Sequence, residues 1–315
     1  MNIPSQRGIA LIVVLWLTVL IAVIGSSFAY SMRGEALAAR NTMSLAQARA
    51  AADCAVERTA FEVSRPRVAA DAWNADGQPH AWTEGEVALT ATAYDESARI
   101  DLNTAPDALL KGLLQNVAGL DQEAAQRTLE AILDWRDADD LKHPNGAEAP
   151  EYQAAGSKYV PTNAPFESVG ELQRVLGMTP ALMTRIAHTL TIYSRQPGVN
   201  LMTAGRDVLL AMPGVTPELA DTFIATRDDA LKNHLPIPPF PQAQGFAGAA
   251  SPVWRIHVVA RMPDGVTFAR DAVLRPVMDA RRPMVTLLWQ EGAAEPTSEA
   301  TASGKSEQQN GTGKP

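Results

Sequence analysis

The 315-residue sequence is poor in cysteine and in basic side chains. Its only cysteine, Cys54, allows no disulfide within the chain, which is compatible with any compartment. Lysine and arginine number 27 against 35 aspartates and glutamates, and the formal net charge is −8. Binding to nucleic-acid phosphates needs clustered basic side chains, so this charge balance argues against a nucleic-acid partner.

Recognisable enzyme motifs are also missing. The histidines are scattered and show no HExxH or other metal-ligand spacing, and neither a GxSxG elbow nor a GxxxxGK[ST] phosphate loop occurs. Two carboxylates could act as acid and base in a hydrolase, but the acidic residues of this sequence are clustered without a separate partner. We therefore expect a protein that is not an enzyme, with a membrane-anchored, calcium-dependent hydrolase as an alternative.

Charge is absent from residues 9–30, which read IALIVVLWLTVLIAVIGSSFAY. At about 1.5 Å per residue, a helix of this length spans a hydrocarbon core of roughly 30 Å. A cleaved secretory signal is the main alternative, but the only basic side chain before the apolar run is Arg7. Its small-residue cleavage sequence would fall at residues 36–39, too far beyond the apolar core. The pattern favours a membrane anchor.

The helical pattern continues beyond the apolar run. Residues 31–63 are rich in Ala, Leu, Met, Glu and Arg, and no proline occurs before Pro66. Apolar residues from Leu37 to Phe61 recur at steps that approximate one helical face. We predict one helix of roughly 55 residues and ~80 Å, apolar in its first half and amphipathic in its second.

Strand patterns flank a long helical region. Residues 66–82 are predicted to be irregular, residues 87–94 alternate as a strand does, and the pattern from about 105 to 188 is helical. Further strands are predicted at 190–194, 254–262, 266–275 and 284–290, with a tight turn at 263–265. The fold class is therefore α+β: a long N-terminal helix packed on a small antiparallel sheet, with a large all-helical insertion.

Glycine turns between leucine-rich helices form a weak repeat at Gly119, Gly177 and Gly214. The segment LLAMPGVTPELADTFIATR resembles a helix-hairpin-helix module, which holds DNA phosphate on turn amides. Acidic neighbours such as Glu218 and Asp221 argue against this use, and packing turns between short helices are favoured. A membrane-tethered DNA-binding protein nevertheless stays as the alternative function.

The densest chemistry lies in DWRDADDLKHPNGAEAPEY, residues 134–152. Calcium takes six to eight oxygen ligands, and carboxylates clustered in a loop can supply them. The segment is no EF-hand, because Gly146 is out of register. From the residues alone, a structural metal site and a solvated acidic loop both stay open. The candidate ligands are Asp134, Asp137, Asp139 and Glu148, followed by Asp140 and Glu151.

A short polar leader that ends in Gly8, followed by a spanning segment and an amphipathic helix, resembles type IV pilins and type II secretion pseudopilins. The resemblance implies that prepilin peptidase cleaves between Gly8 and Ile9 and methylates the new amino terminus at Ile9. Most pilins carry glutamate at the fifth mature position, which pairs with the terminus of the subunit above; here that position is Val13. In lacking this glutamate the chain resembles GspK-type minor pseudopilins. The resemblance implies that it is the topmost subunit of the assembly.

The helical insertion strengthens this resemblance. GspK-type proteins are similar in the segments DWRDADD, NGAE and PTNAPF and at Tyr152, Tyr159 and Glu171-Leu172. The resemblance covers the chain to about residue 290 and implies calcium in the helical domain. The implied organisation is a prepilin leader (1–8), a transmembrane part (9–30), a pilin-like domain (31–100 and 189–290), a helical insertion (101–188) and a disordered tail (291–315).

The same resemblance implies a structural role in a Gram-negative bacterium. The protein is expected to lie in the inner membrane, with its N-terminus cytoplasmic and its bulk periplasmic. Its expected partners are the I- and J-type minor pseudopilins, the major pseudopilin and prepilin peptidase, with no nucleic acid. The implied place is the tip of the type II secretion pseudopilus, where it starts or limits assembly.

Overall fold

The computed structural model describes residues 7–65, 73–233, 235–279, 281 and 283–293. The predicted leader before position 7 and the predicted tail from position 294 lie outside the described residues. The helices are α1 (Arg7–Ser64), α2 (Asp107–Gly112, continued by a π-helical turn at Leu113–Val117), α3 (Gln122–Arg136), α4 (Ala149–Ala154), α5 (Pro180–Ile186), α6 (Arg206–Leu210) and α7 (Pro217–Lys232). The strands are β1 (Asp76–Glu84), β2 (Val87–Asp95), β3 (Ile100–Asp101), β4 (Leu190–Thr191), β5 (Trp254–Arg261), β6 (Thr267–Pro276) and β7 (Met284–Glu291). Short 3-10 turns occupy Glu96–Ala98, Val169–Arg174, Ala187–Thr189 and Pro241–Ala243.

Helix α1 is continuous over 58 residues, as predicted, and is about 87 Å long at 1.5 Å per residue. Among the described helices, it is the one that is long and apolar enough to cross a membrane. Its most apolar 18-residue window has a mean hydropathy of 2.6 and no buried residue. Its second half packs on the sheet through small side chains, namely Ala48, Ala52, Ala55, Val56 and Ala60. Alanine leaves little side-chain bulk between helix and sheet, so the two approach closely.

The main sheet is antiparallel, with strand order β1-β2-β5-β6-β7. Alternate residues of β2 and β5 face α1, which follows from the two-residue period of a strand. The buried residues on this face include Leu89, Ala91, Ala93, Ile256 and Val258. The predicted packing of the long helix on a small sheet is thereby confirmed.

Strand β1 was not predicted, because residues 76–82 lie in the segment expected to be irregular. Gly77 and Pro79 are poor strand formers, but β1 is an edge strand and its register shifts between Asp76 and Pro79. A proline is tolerated at such a position because no neighbour needs its missing N–H group. Gly77 has φ +84°, and a Cβ there would lie 2.9 Å from the ring of Tyr94.

The helical insertion extends further than the predicted border at residue 188. A single hydrophobic cluster runs from Ile100 to Ala243 and includes Val208, Leu209 and Phe223 of α6 and α7. The segment LTIYS contributes only Leu190–Thr191, which pairs in parallel with β3 apart from the main sheet. The helical domain therefore covers residues of about 100–248, since strand pattern resumes only at Trp254.

The glycine turns of the weak repeat lie inside this domain. Gly119, Gly177 and Gly214 all have positive φ, between +77° and +88°, which glycine adopts without strain. On either side of Gly214, Met212 and Val215 belong to the hydrophobic cluster. The turns thus join short helices across a shared core.

The register shows which end of the sheet carries the helical domain. The β5–β6 turn lies beside the early part of the packed half of α1, where Ser44 Oγ donates to Asp264 Oδ2 at 2.5 Å. The chain leaves the sheet after Asp95 and returns at Trp254, and these two residues are direct neighbours in the ladder. They lie at the opposite end from Asp264. The helical domain is consequently mounted at the end of the sheet remote from the apolar half of α1.

Two buried carboxylates hold the helical domain to the sheet. Asp95 Oδ2 accepts a hydrogen bond from Asn200 Nδ2 at 2.8 Å. Glu96 Oε1 accepts from Arg255 Nε at 2.6 Å, and Thr191 Oγ1 donates to the other oxygen of Glu96. Because both carboxylates are buried and paired, the joint between the domains is a stiff polar network.

Candidate functional site: the acidic loop between α3 and α4

Asp134, in the last turn of α3, organises the acidic loop from a fully buried position. Its Oδ1 accepts from the backbone N–H of His143 at 3.1 Å and contacts the ring Nδ1 of the same residue. Its Oδ2 accepts from the N–H of Ala147 at 2.6 Å. Gly146 leaves room for this carboxylate, because a Cβ there would lie 1.9 Å from Oδ2. The loop is folded around one aspartate.

Asp137 ends α3, and its N–H donates to the carbonyl of Leu133 at 3.0 Å. Its Oδ2 lies 4.0 Å from His143 Nδ1, while its Oδ1 is buried with no hydrogen-bond partner among the described residues. Single ligand atoms of Asp134, Asp137 and His143 lie within 4.8 Å of one another. Burial, together with the charges of Asp139 and Asp134, raises the pKa of Asp137 above its ordinary value.

Glu148, directly before α4, is 6% exposed and brings a further carboxylate to the same place. Within the described part of the chain its Oε1 is buried and unpartnered. Burial, reinforced by the negative charges of Asp134 and Asp137, raises the pKa of Glu148 to about 7. A buried carboxylate oxygen without a hydrogen-bond partner is costly, so a bound cation would be stabilising at this place.

Asp139 and Asp140 form the outer part of the loop. Asp139 Oδ1 accepts from the N–H of Leu141 at 2.8 Å, which closes a local turn. Asn163 Nδ2 donates to the Asp139 carbonyl at 3.0 Å and to Asp140 Oδ1 at 2.7 Å. The remaining side-chain oxygen of Asn163 is buried and has no partner in the described structure. A third orphaned oxygen therefore borders the loop.

Glu151, by contrast, is engaged in holding the start of α4. Its Oε2 accepts from the N–H of Glu148 at 3.0 Å, and its Oε1 pairs with Lys142 Nζ at 2.7 Å. Of the six predicted ligands, the structure brings Asp134 and Asp137 together in a group with His143, and the charges of these two aspartates act on Glu148. Whether any of the six binds a metal stays a prediction.

Sequence reasoning missed His143 and Asn163. His143 lies inside the acidic segment but was set aside because no other histidine stands at a ligand spacing. Asn163 lies between Pro161 and Pro165 and has φ +48°, a conformation for which asparagine is enriched among non-glycine residues. An asparagine fixed between two prolines was the available signal, but its partner lies more than twenty positions earlier.

Aromatic side chains pack together next to the acidic loop. The ring centroids of Trp135 and Tyr152 are 5.8 Å apart, and those of Trp135 and Phe166 are 6.2 Å apart. The hydroxyl of Tyr152 accepts from the N–H of Leu176 at 3.1 Å, and burial raises the pKa of Tyr152 to about 12. These contacts tie α3, α4 and the segment around Phe166 into one unit.

The donor set fits a hard divalent cation. Among the described residues, three buried oxygens lack partners, on Asp137, Glu148 and Asn163. Carboxylate and amide oxygens are the ligands that calcium takes. His143 is the exception, since an imidazole suits other metals better. Its hydrogen bond with Asp134 raises the pKa of His143.

The predicted processing site lies at the start of α1. Gly8 and Ile9 belong to its first turn, and Val13 follows in the apolar half with 60% of its surface exposed. A long helix with an exposed apolar half and an antiparallel sheet on its other half is a pilin-like arrangement, and the apolar half is long enough to cross a membrane. The helical domain at one end of the sheet sets it apart from the plain pilin architecture.

Comparisons with known proteins agree with this class. The family model described as "Type II secretion system (T2SS), protein K" matches residues 89–195. The type II secretion system protein K of Klebsiella pneumoniae is 28% identical over 230 residues, which are 65% of this chain and 69% of that protein. A chain of the GspK-GspI-GspJ complex from enterotoxigenic Escherichia coli is similar with a TM-score of 0.57 and 15% identity, over 84% of this chain and 99% of that one.

The chain is similar to the protein K family of type II secretion systems, the GspK-type minor pseudopilins. The comparisons agree with the predicted family, and the predicted α+β fold is confirmed. This family consists of structural components of the secretion machinery.

Proposed function

We propose that this minor pseudopilin sits at the tip of the type II secretion pseudopilus and starts or limits its assembly, in support of protein secretion across the outer membrane. The observation that carries the proposal is the position of the helical domain, which occupies the end of the sheet remote from the apolar half of α1. Pilin-like subunits stack through their long helices, and a domain of this size above the sheet leaves no room for a further subunit.

Val13 supports the same position. A glutamate in lipid persists only when it is paired, and a topmost subunit has no terminus above it to pair with. The valine at this place is apolar and exposed on α1, in keeping with a helix that packs against lipid and neighbouring helices. The subunit would thus pair only with subunits below or beside it.

The proposed partners are the I- and J-type minor pseudopilins, with the major pseudopilin further down. The similar GspK chain from enterotoxigenic Escherichia coli is part of a GspK-GspI-GspJ complex. In this chain the part of α1 between the apolar run and the sheet exposes Leu37, Met43 and Leu45, and Phe61 is exposed further along. Exposed apolar side chains on a long helix suit parallel packing against other long helices.

Excision of the helical domain tests the tip position. Asp95 and Trp254 are neighbours in the ladder, so a short Gly-Ser turn can replace residues 96–253 without moving β2 or β5. We expect the shortened subunit to be inserted in the membrane but to allow longer pseudopili, measured by immunogold electron microscopy with the major pseudopilin in excess. Pseudopili of unchanged length, beside a control of intact protein at the same level, would contradict the proposal.

We further propose inner-membrane insertion with a cytoplasmic N-terminus and a periplasmic bulk, followed by cleavage between Gly8 and Ile9 and methylation of Ile9. The supporting features are the polar leader, Gly8 directly before an uncharged run, and the length of α1. The mature amino terminus should be determined in cells with and without prepilin peptidase. A start at Ile9 that depends on the peptidase is expected, whereas a start near residue 39 would show ordinary signal cleavage.

For the acidic loop we propose a structural calcium ion. Asp137, Glu148 and Asn163 would offer it their unpartnered oxygens, and Asp134, Asp139 and Asp140 would complete the negative surroundings. The ion would supply the positive charge that the protein lacks there and would tie α3 to α4. Extracytoplasmic calcium sites can work at about 10⁻⁴ to 10⁻³ M, which suits a fixed structural role.

A further inference from the structure

A second candidate site lies at the joint between the sheet and the helical domain, away from the acidic loop. It is a cleft of about 710 Å³ that is open to solvent on one side. Its walls are the end of β2 at Tyr94, the following turn at Arg99, and the start of α6 at Arg206, with His188 and Arg227 beside them. Three arginines in one cleft are unexpected in a chain of net charge −8.

Arg99 stands out among them because its charge is poorly matched. Its side chain is 21% exposed, and the nearest carboxylate oxygen is Glu96 Oε1 at 3.8 Å. Both oxygens of Glu96 already accept closer hydrogen bonds, from Arg255 and Thr191. In the part of the chain that the structure describes, the guanidinium of Arg99 has no hydrogen-bond acceptor; besides the long ion pair with Glu96 it has a ring contact, 5.9 Å from the centroid of Tyr94.

The other cations of the cleft are committed to partners. Arg206 forms a two-pronged pair with Asp221, at 2.6 and 3.1 Å. Arg227 pairs with Asp228 at 2.9 Å and donates to the carbonyl of Ala204 at 2.7 Å.

His188 lies 2.8 Å from Asp207, so it too has a partner. A guanidinium carries five N–H donors, and Arg99 lines the solvent-open cleft with a side chain that is 21% exposed. Of the cations in the cleft, Arg99 is therefore the one whose N–H donors are available to bind a ligand.

We propose that this cleft receives a carboxylate side chain from an acidic peptide segment of a partner protein, with Arg99 as its ligand. The planar guanidinium fork matches a carboxylate in two parallel hydrogen bonds. The open side of the cleft suits a side chain presented by a macromolecule rather than an enclosed small molecule. The inference does not depend on the tip position.

Binding can be measured on the full-length protein in detergent micelles at physiological salt, by the fluorescence anisotropy of labelled hexaglutamate. We expect saturable binding that Arg99→Gln weakens by at least about tenfold and Arg99→Lys weakens less, since lysine keeps the charge but not the fork. The matched control is Arg127→Gln, because Arg127 is an exposed arginine on α3 paired with Glu123. This control should bind as the unaltered protein does.

Unlabelled glutarate separates the two sources of a carboxylate. Displacement by hexaglutamate at far lower concentration than by glutarate supports a peptide ligand, whereas equal displacement overturns it in favour of a small dicarboxylate. Absence of saturable binding, or equal affinity of the Arg99→Gln and Arg127→Gln variants, also overturns the proposal.

If the Arg99→Gln variant does not fold, the proposal can be tested on the unaltered protein. Hexaglutamate must then slow the modification of Arg99 by phenylglyoxal, followed by mass spectrometry, but not that of Arg127. Equal rates with and without the peptide overturn the proposal.

Discussion

The two hydrophobic cores of this molecule differ in the size of the side chains that fill them. The core between α1 and the sheet is rich in alanine, with Ala52, Ala91 and Ala260 all buried. The core of the helical domain is filled by large side chains such as Trp135 and Tyr152, and its loops are held by buried polar groups. The first core keeps a long helix close to the sheet, and the second folds around an acidic loop. Each should therefore fail for a different reason.

The largest effect is expected from the loss of Asp134 in the helical domain. Asp134→Ala leaves the N–H groups of His143 and Ala147 unpaired and should destabilise this domain by about 3 kcal/mol or more. Hydrogen exchange should rise across α3 and α4, while β5 and β6 keep their protection. Glu123→Ala, an exposed acidic residue on the same helix, is the control and should change little. Equal loss of protection in the sheet would mean that the two cores are one cooperative unit.

A smaller effect is expected from overfilling the alanine core. Ala52→Leu adds bulk where α1 meets the sheet and should cost about 2 kcal/mol, because closely packed interfaces tolerate added methyl groups poorly. Exchange should rise in β5 and β6 and stay unchanged in α3. Ala50→Leu makes the same change at an exposed position of α1 and should leave the isolated protein as stable as before. If Ala50→Leu were as harmful as Ala52→Leu, the burial of Ala52 would not be the reason.

The smallest effect is expected from removal of calcium. A ligand present at ten times its Kd stabilises the folded state by about 1.4 kcal/mol, so a chelator should lower the melting temperature by roughly 2–4 °C. The shift should shrink in Glu148→Gln, which removes a charged ligand, and stay full in Glu123→Ala. A melting temperature that the chelator leaves unchanged in the unaltered protein would remove the proposed ion.

The sequence predicted those parts of the fold whose signal is local. Helix α1 followed from its apolar run and helical spacing, and β2, β5, β6 and β7 followed from alternation and the turn at 263–265. Strand β1 was missed because its proline and glycine are acceptable only at an edge, and edge position is a property of the finished sheet. The border of the helical domain was misplaced because LTIYS is strand-like, and its pairing with β3 rather than the main sheet is decided by tertiary contacts.

The candidate metal site was likewise predictable only in part. The clustering of acidic residues from Asp134 to Glu151 was visible in the sequence, but their roles were not. Glu151 turned out to hold the start of α4 through Lys142 and Glu148, which depends on side-chain directions that spacing does not give. Asn163 reaches the loop from a distant segment, so only the folded chain brings it there.

The adjacency of Asp95 and Trp254 also bears on how the chain folds. Closing a loop costs entropy that grows with its length, and here the sheet itself holds the two ends of the helical domain together. Pairing of β2 with β5 must first bring positions 95 and 254 together, which closes a long loop of unfolded chain. Once the two strands have paired, the ends of the inserted segment are held side by side while it folds. The slow step in folding should thus be strand pairing, and a helical domain that folds early would shorten the gap and speed it.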